Sequence, residues 1–310
     1  MTLKIREFHW NSDFELVRDF LIESYNISKN LYNWIPQRFE NRKFGPCGTE
    51  YQDEEDELVK IWELVDEDTN IKKIVAVTIY DPASTYWMQI HPDYRYLETK
   101  ILDWIEAQII DLKKTDKQRL ELHFYVHDSD EFRISLLTEK GFQRKGSDEC
   151  TRIRPLKMEI PVYHLPEGYS IKLVNIEEDF EKYREVMGAV FPHCYKMTKS
   201  LAEKYSKASF YKADLDLVVV APKDDFAAFC TMRFDPKSKI AELEPMGTHP
   251  NHRRKGLGKA LIYEALKRVI HYRPTLICIL GAASTKAADA LYDSLGFEKI
   301  DDIILWVKEL

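Results

Sequence analysis

HPNHRRKGLGKAL, residues 249–261, is the stretch on which the reading of this chain turns. An apolar run with strand character, IAELEPMGT, leads into it. A helical pattern follows, with Leu257, Leu261, Ala265 and Val269 on one stripe. Between strand and helix stand Arg253, Arg254, Lys255 and Lys259, interleaved with Gly256 and Gly258. Glycine lets a backbone approach a ligand closely because no Cβ intervenes. A helix start offers unpaired N–H groups and a partial positive charge, which suits a phosphate. Cations at that end oppose the helix dipole, so the cluster serves an anionic ligand better than it serves the helix. Two phosphate motifs fail here. A Walker loop needs Ser or Thr after Gly-Lys, and Gly258-Lys259 is followed by Ala260. A dinucleotide fingerprint needs a third glycine, and Leu261 occupies that place.

The same opening occurs earlier, in HPDYRYLETK, residues 91–100. His91 to His249 is an offset of 158, and Gly141-Phe142 to Gly296-Phe297 is an offset of 155. Two matches in the same order at nearly one offset indicate an internal duplication. Arg95 then aligns with Arg253, Glu98 with Gly256, Lys100 with Gly258, and Leu137 with Tyr292. Side chains at both glycine positions would crowd a phosphate, and Glu98 would repel it. The proline-containing stretch RPLKMEIPVYHLPEG, 154–168, suits a boundary. The expected domains are 1–160, a degenerate copy with a structural or pocket-forming role, and 161–310, the ligand-binding copy. Residues 161–310 alone are expected to retain the ligand if they fold.

Composition narrows the partners. The 310 residues are 45% hydrophobic and 31% charged, as a packed soluble core requires. Net charge is −7, which argues against a nucleic-acid partner. Cys47, Cys150, Cys194, Cys230 and Cys278 are widely spaced, with no CxxC pair, so neither a metal site nor a disulfide framework is expected. No apolar run approaches membrane-spanning length, and the expectation is a cytoplasmic protein, monomer or homodimer.

Each half reads as one series of elements. In the second, YSIKLV, LDLVVVA, FAAFCTMRF, IAELEPMGT and TLICILGA are strands. NIEEDFEKYREVMGAVF, TKSLAEKYSKASFY, residues 257–270 and STKAADALYDSLG are helices. The first half repeats this order, with helices over 13–25, 97–112 and 130–139. The fold class is α/β, in the sense of an α+β mixed sheet. Residues 33–39, NWIPQRF, are read as a helix–loop packing stretch, and His91 and His249 as structural.

Arg-x-x-Gly-x-Gly at 253–258, together with ADALYDSLGFE at 288–298, resembles the GCN5-related N-acetyltransferases (GNAT). The resemblance covers 168–310, and the first half looks like a degenerate copy. It implies two tandem GNAT-like acyl-CoA acyltransferase domains and acetyl-CoA as co-substrate, with no metal. In the family the loop holds the coenzyme A pyrophosphate, which implies roles for Arg253, Arg254, Lys255, Gly256, Leu257, Gly258 and Lys259. The family's central strand bulges and splays, which implies that backbone at Met246, Gly247 and Thr248 meets the pantetheine and the acetyl group. Pro245 lacks an N–H and suits such an interruption. Glu242 and Glu244 share a strand face, and either could take the amine proton; Glu244 adjoins the bulge. Tyr292 matches the family tyrosine that protonates the leaving thiolate. Ser284 stands near a coenzyme-contacting asparagine of the family and is read as a cap of the last helix. The expected activity is direct acetyl transfer in a ternary complex to a primary amine of a small molecule or peptide. A non-catalytic acetyl-CoA sensor is the alternative.

Overall fold

A computed structural model of the chain describes residues 1–45, 58–81, 85–115 and 121–309. The chain divides into two compact units. Unit 1 is Met1–Pro36, Gln52–Cys150 and Asp301–Leu310; unit 2 is Gln37–Tyr51 and Thr151–Ile300. A single cut near 160 therefore does not describe them. A short segment of the first half joins unit 2, and the last ten residues join unit 1.

Unit 1 runs β1 (Thr2–Glu7), α1 (Trp10–Ser28), β2 (Val59–Val65), β3 (Lys72–Asp81), β4 (Thr85–Ile90), α3 (Glu98–Thr115), β5 (Glu121–His127) and α4 (Glu131–Glu139), with α2 (Pro36–Phe44) between α1 and β2 in the chain. Its sheet has the order β1-β2-β3-β4-β5-β13, where β13 is Glu298–Glu309, and the short β6 (Gln143–Arg144) also pairs with β13. The β4–β5 pair is parallel, while β1–β2, β2–β3, β3–β4, β5–β13 and β6–β13 are antiparallel, so the sheet is mixed. Trp62, Met88, Ile101, Ile105, Phe124 and Leu137 form its core together with Ile304 and Trp306 of β13.

Unit 2 repeats the plan. Its elements are β7 (Glu149–Arg154), β8 (Ser170–Leu173), α5 (Ile176–Val190), α6 (Lys199–Tyr205), β9 (Asp216–Val220), β10 (Phe226–Phe234), β11 (Ile240–Thr248), α7 (Leu257–Val269), β12 (Leu276–Ala283) and α8 (Lys286–Asp293). The sheet order is β7-β12-β11-β10-β9-β8, with β11 and β12 parallel. Asn175 caps α5 and Thr198 caps α6, each side chain accepting a backbone N–H that the helix start cannot pair. Every residue of β10 is buried, as the centre of a sheet covered on both faces requires.

The helices expected over 13–25, 97–112, 130–139 and 257–270 are present as α1, α3, α4 and α7. Helix α2 is not legible from its composition. Its residues PQRFENRKF carry little apolar surface, but Pro36 stands at its first position, where a missing N–H costs nothing. The disulfide expectation needs correction. Cys150, Cys230 and Cys278 are free and buried, whereas Cys194 is disulfide-bonded. Spacing along the chain does not report proximity in space. Cys47 lies outside the described residues, as does the DEEDE run at 53–57. Among the described residues no helix is long and apolar enough to cross a membrane, and no group of His, Cys, Asp and Glu could hold a metal ion.

Candidate functional site

The site is built around β11. Its pairing with β10 slips by one residue between Cys230↔Met246 and Met232↔Leu243, which places a bulge at Glu244-Pro245. On its other side β11 pairs with β12 only through Ile240↔Leu276, Ala241↔Ile277 and Glu242↔Cys278. Beyond Glu242 the two strands continue to Thr248 and Ala283 without further pairing to each other among the described residues. Backbone groups of Met246 and Thr248 are thereby released from the ladder on that side. Both side chains are half-buried. Gly247 is there for packing, since an added Cβ would lie 2.6 Å from Phe229 Cζ and 2.8 Å from Val190 Cγ1.

The loop after β11 opens with a His cap. His249 Nδ1 accepts the backbone N–H of Asn251 at 3.2 Å, the structural role expected of this residue. Arg253 Nε donates to the Thr248 carbonyl at 3.2 Å, Lys255 Nζ donates to the Tyr169 hydroxyl at 2.8 Å, and Arg254 is exposed. Tyr169 also bonds His252, whose other ring nitrogen meets Asp225 at 3.0 Å. Gly256 adopts φ 77° at the cap position of α7, and no side chain caps that helix. A Cβ at Gly256 would meet nothing within 4 Å, so the position is open and its glycine answers to the left-handed backbone. Gly258 answers to close approach. A Cβ there would lie 2.6 Å from Met246 Cε, 3.1 Å from Thr248 Oγ1 and 4.0 Å from Leu291 Cδ2. The start of α7 thus sits against β11 and against α8. Leu257 is buried and offers only its backbone, while Lys259 lies over the Tyr263 ring at 5.7 Å.

The two candidate bases separate. Glu242 is 0% exposed and accepts from Arg38 Nε at 2.6 Å, with Arg233 Nη1 at 3.8 Å. A carboxylate held this way is a buried ion-pair member rather than an exposed strand carboxylate. Glu244, two residues on, is half-buried at the bulge. Burial alone would pull the Arg38 guanidinium down, yet the Glu242 and Glu244 charges together hold it above its ordinary value. The same two carboxylates act on Arg233, whose Nε donates to the Tyr205 hydroxyl at 3.2 Å. Asp216 is also buried, accepting from Thr231 Oγ1 at 2.7 Å and Tyr211 OH at 3.0 Å, and burial pushes it up to about 6.

Tyr292 is half-buried on α8, its ring 6.2 Å from that of Phe297. Ser284 does not cap α8. Thr285 does, accepting from the Ala288 N–H at 3.2 Å, and the Ser284 Oγ is buried without a hydrogen-bond partner. Burial pushes the Cys230 and Cys278 thiols up, which makes both poor nucleophiles. His193 is exposed beside the disulfide-bonded Cys194.

Arg233, Arg152 and Tyr169 were not singled out in the sequence, and Arg38 only as part of the 33–39 packing stretch. Of the first three, Arg233 carried a signal. A single cation inside FAAFCTMRF must be buried, and a buried cation needs a carboxylate close by.

Residues 180–297 match the acetyltransferase (GNAT) family. The mycothiol acetyltransferase of Paenarthrobacter aurescens (strain TC1) is 22% identical over 239 residues, covering 75% of this chain and 72% of that protein. Among solved structures, a tandem GNAT protein from the clavulanic acid biosynthesis pathway superposes with a TM-score of 0.71 at 17% identity, covering 99% of this chain and 98% of that one. A GCN5-related N-acetyltransferase from Sphaerobacter thermophilus gives 0.67 at 15% identity, covering 99% and 95%.

Proposed function

We propose that this chain, whose residues 180–297 form a GNAT-family acetyltransferase domain, moves an acetyl group from acetyl-CoA to a primary amine by direct transfer. The observation that carries the proposal is the splay of β11 from β12, which leads into an uncapped, cation-ringed helix start. The helix N–H groups beyond Gly256, with Arg253, Arg254, Lys255 and Lys259 around them, suit a pyrophosphate. The released backbone at Met246 and Thr248 suits an amide-bearing arm and the thioester carbonyl. The orphaned Ser284 hydroxyl is a polar group in need of a partner at the far side of the splay.

In the chemical step the amine nitrogen bonds the thioester carbon and the carbon–sulfur bond breaks. Glu244 takes the proton from the amine, directly or through water, and the Tyr292 hydroxyl supplies one to the departing sulfur. Glu242 serves Glu244 by holding Arg38 and Arg233 in place. The thiols pushed up by burial support direct transfer over an acyl-cysteine. Unit 1 is proposed to bind no coenzyme.

A screen of amines that follows free thiol release from acetyl-CoA tests the activity, with Tyr292→Phe as the companion variant. The variant is expected to lower the single-turnover rate while leaving the acetyl-CoA Kd within about twofold, since the hydroxyl acts only as sulfur leaves. Tight acetyl-CoA binding with no thiol release for any amine would make the chain a binding module.

A further inference from the structure

Helix α8 carries Tyr292 and yet contains no buried residue. Its apolar residues, Ala288, Leu291 and Tyr292, are half-buried, with Leu291 against the start of α7. A side chain from β7 adds polar contacts along the helix. Arg152 is 2% exposed, with Nη2 at 2.6 Å from Asp289 Oδ1 and Nη1 at 2.6 Å from Asp293 Oδ1. Nη1 also donates to the Phe297 carbonyl at 2.9 Å, just past the turn that ends the helix. The guanidinium carbon lies 5.9 Å from the centre of the Tyr292 ring. Asp289 and Asp293 are one helical turn apart, so they point to the same side, and Tyr292 stands beside the second. One planar fork thus holds both ends of the turn that bears the tyrosine, the strand that follows it, and the ring itself.

We propose that Arg152 is the positioning residue for Tyr292. It fixes the rotation and placement of α8, so that the hydroxyl is presented to the splay between β11 and β12 in one orientation. Arg suits the task where Lys would not, because a rigid fork reaches two carboxylates and a carbonyl at once and an ammonium is a single point. The proposal rests on the reading of Tyr292 as the proton donor, and its test separates the two.

The first arm needs no acceptor. In protein labelled with [ζ-13C]tyrosine, the Tyr292 resonance is identified by its loss in Tyr292→Phe. It is expected to be a single line in wild type and displaced or split in Arg152→Met, with the other tyrosines in place and acetyl-CoA affinity by calorimetry within about twofold. An unchanged Tyr292 line in a folded Arg152→Met protein would overturn the positioning role, whatever Tyr292 does in catalysis. The second arm follows thiol release with the best amine of the screen. Arg152→Met is expected to slow it by roughly ten- to a hundredfold, the cost of misplacing a reacting group by about 1 Å. The Arg152→Met/Tyr292→Phe double variant is expected to be no slower than Tyr292→Phe. Additive losses would mean that Arg152 acts by another route. A wild-type rate in Tyr292→Phe would remove the proton-donor reading and leave the resonance arm to decide positioning alone. If Arg152→Met does not fold, Asp293→Asn tests the same clamp, because that side chain is 65% exposed; a smaller displacement of the same line is expected, and none would overturn the clamp.

Discussion

The first turn of α3 carries a carboxylate of the chain itself, whereas the first turn of α7 has no acidic residue and no side-chain cap. Both helices follow the same turn. His91 Nδ1 accepts from the Asp93 N–H at 3.2 Å, as His249 does from Asn251. After that the two diverge. Glu98 is 0% exposed, ion-paired with Arg95 and with Arg133 Nε at 3.1 Å, and Arg95 reaches on to Asp130 at 2.7 Å. The strand gap shows the same contrast. In unit 1, β4 and β5 pair at Thr85↔His123, and two residues on the rings of Trp87 and Tyr125 stack at 5.4 Å, with Trp34 against Trp87. In unit 2 the corresponding strands separate around backbone. Leu137, at the place of Tyr292, is fully buried in its core. A helix start and a strand gap can be completed from within for stability, or left open for a ligand.

The comparison can be broken most severely by cutting the chain where the sequence suggests. Residues 161–310 lack α2 and β7. Glu242 would then be buried without Arg38, and the clamps of Arg152 and Arg154 would be lost. The last ten residues would lack the unit they belong to. The fragment is expected not to fold cooperatively, contrary to the expectation from the repeat, and a flat denaturation profile with low helical signal is the readout. A cooperative transition with wild-type acetyl-CoA affinity would show that the two units are separable at 160.

Arg133→Met should destabilise the protein by about 3–5 kcal/mol in urea unfolding, because Glu98 stays buried with one arginine fewer. A loss under about 1 kcal/mol would mean that the buried anion at α3 is not held by charge. Gly256→Glu puts the unit 1 residue into unit 2. No atom blocks the side chain, although the left-handed backbone there strains any residue but glycine; its charge falls at the proposed pyrophosphate site, and acetyl-CoA binding should weaken by at least about a hundredfold, roughly 3 kcal/mol. Calorimetry on the wild type should give one acetyl-CoA per chain; a second site would show that a glycine-free helix start also holds the coenzyme.

Asp216 sharpens the contrast with Glu98, since hydroxyl groups rather than close arginines hold it. Burial raises it from its ordinary 3.8 to about 6. A raised carboxyl favours the protonated native state, so its stabilisation is present below about pH 4 and is lost as pH rises through about 6. A carboxyl raised that far in the fold accounts for about 2–3 kcal/mol of pH-dependent stability. Asp216→Asn should remove that part of the decline between about pH 4 and pH 7, followed by Tm. An unaltered pH profile would mean that Asp216 stays charged in the fold.

Much of this was legible in the residues. His-Pro with Arg-x-x-Gly-x-Gly located the helix start, because glycine at a left-handed cap and glycine against a strand are local demands of the backbone. Glu98 and Lys100 marked the first copy as different for the same local reason. Periodicity located α1, α3, α5 and α7, each with an apolar stripe. Pro245 marked the bulge, since it removes a ladder hydrogen bond. What the sequence could not determine rests on contacts between distant segments. That Glu242 is a fully buried ion-pair member depends on Arg38, 204 positions away. That α8 is held from below depends on Arg152, 141 positions before Asp293. The assignment of β13 to unit 1 and β7 to unit 2 is likewise a matter of strand pairing. Local patterns follow from backbone geometry and are written along the chain; which buried charge meets which partner is settled only when the chain closes on itself.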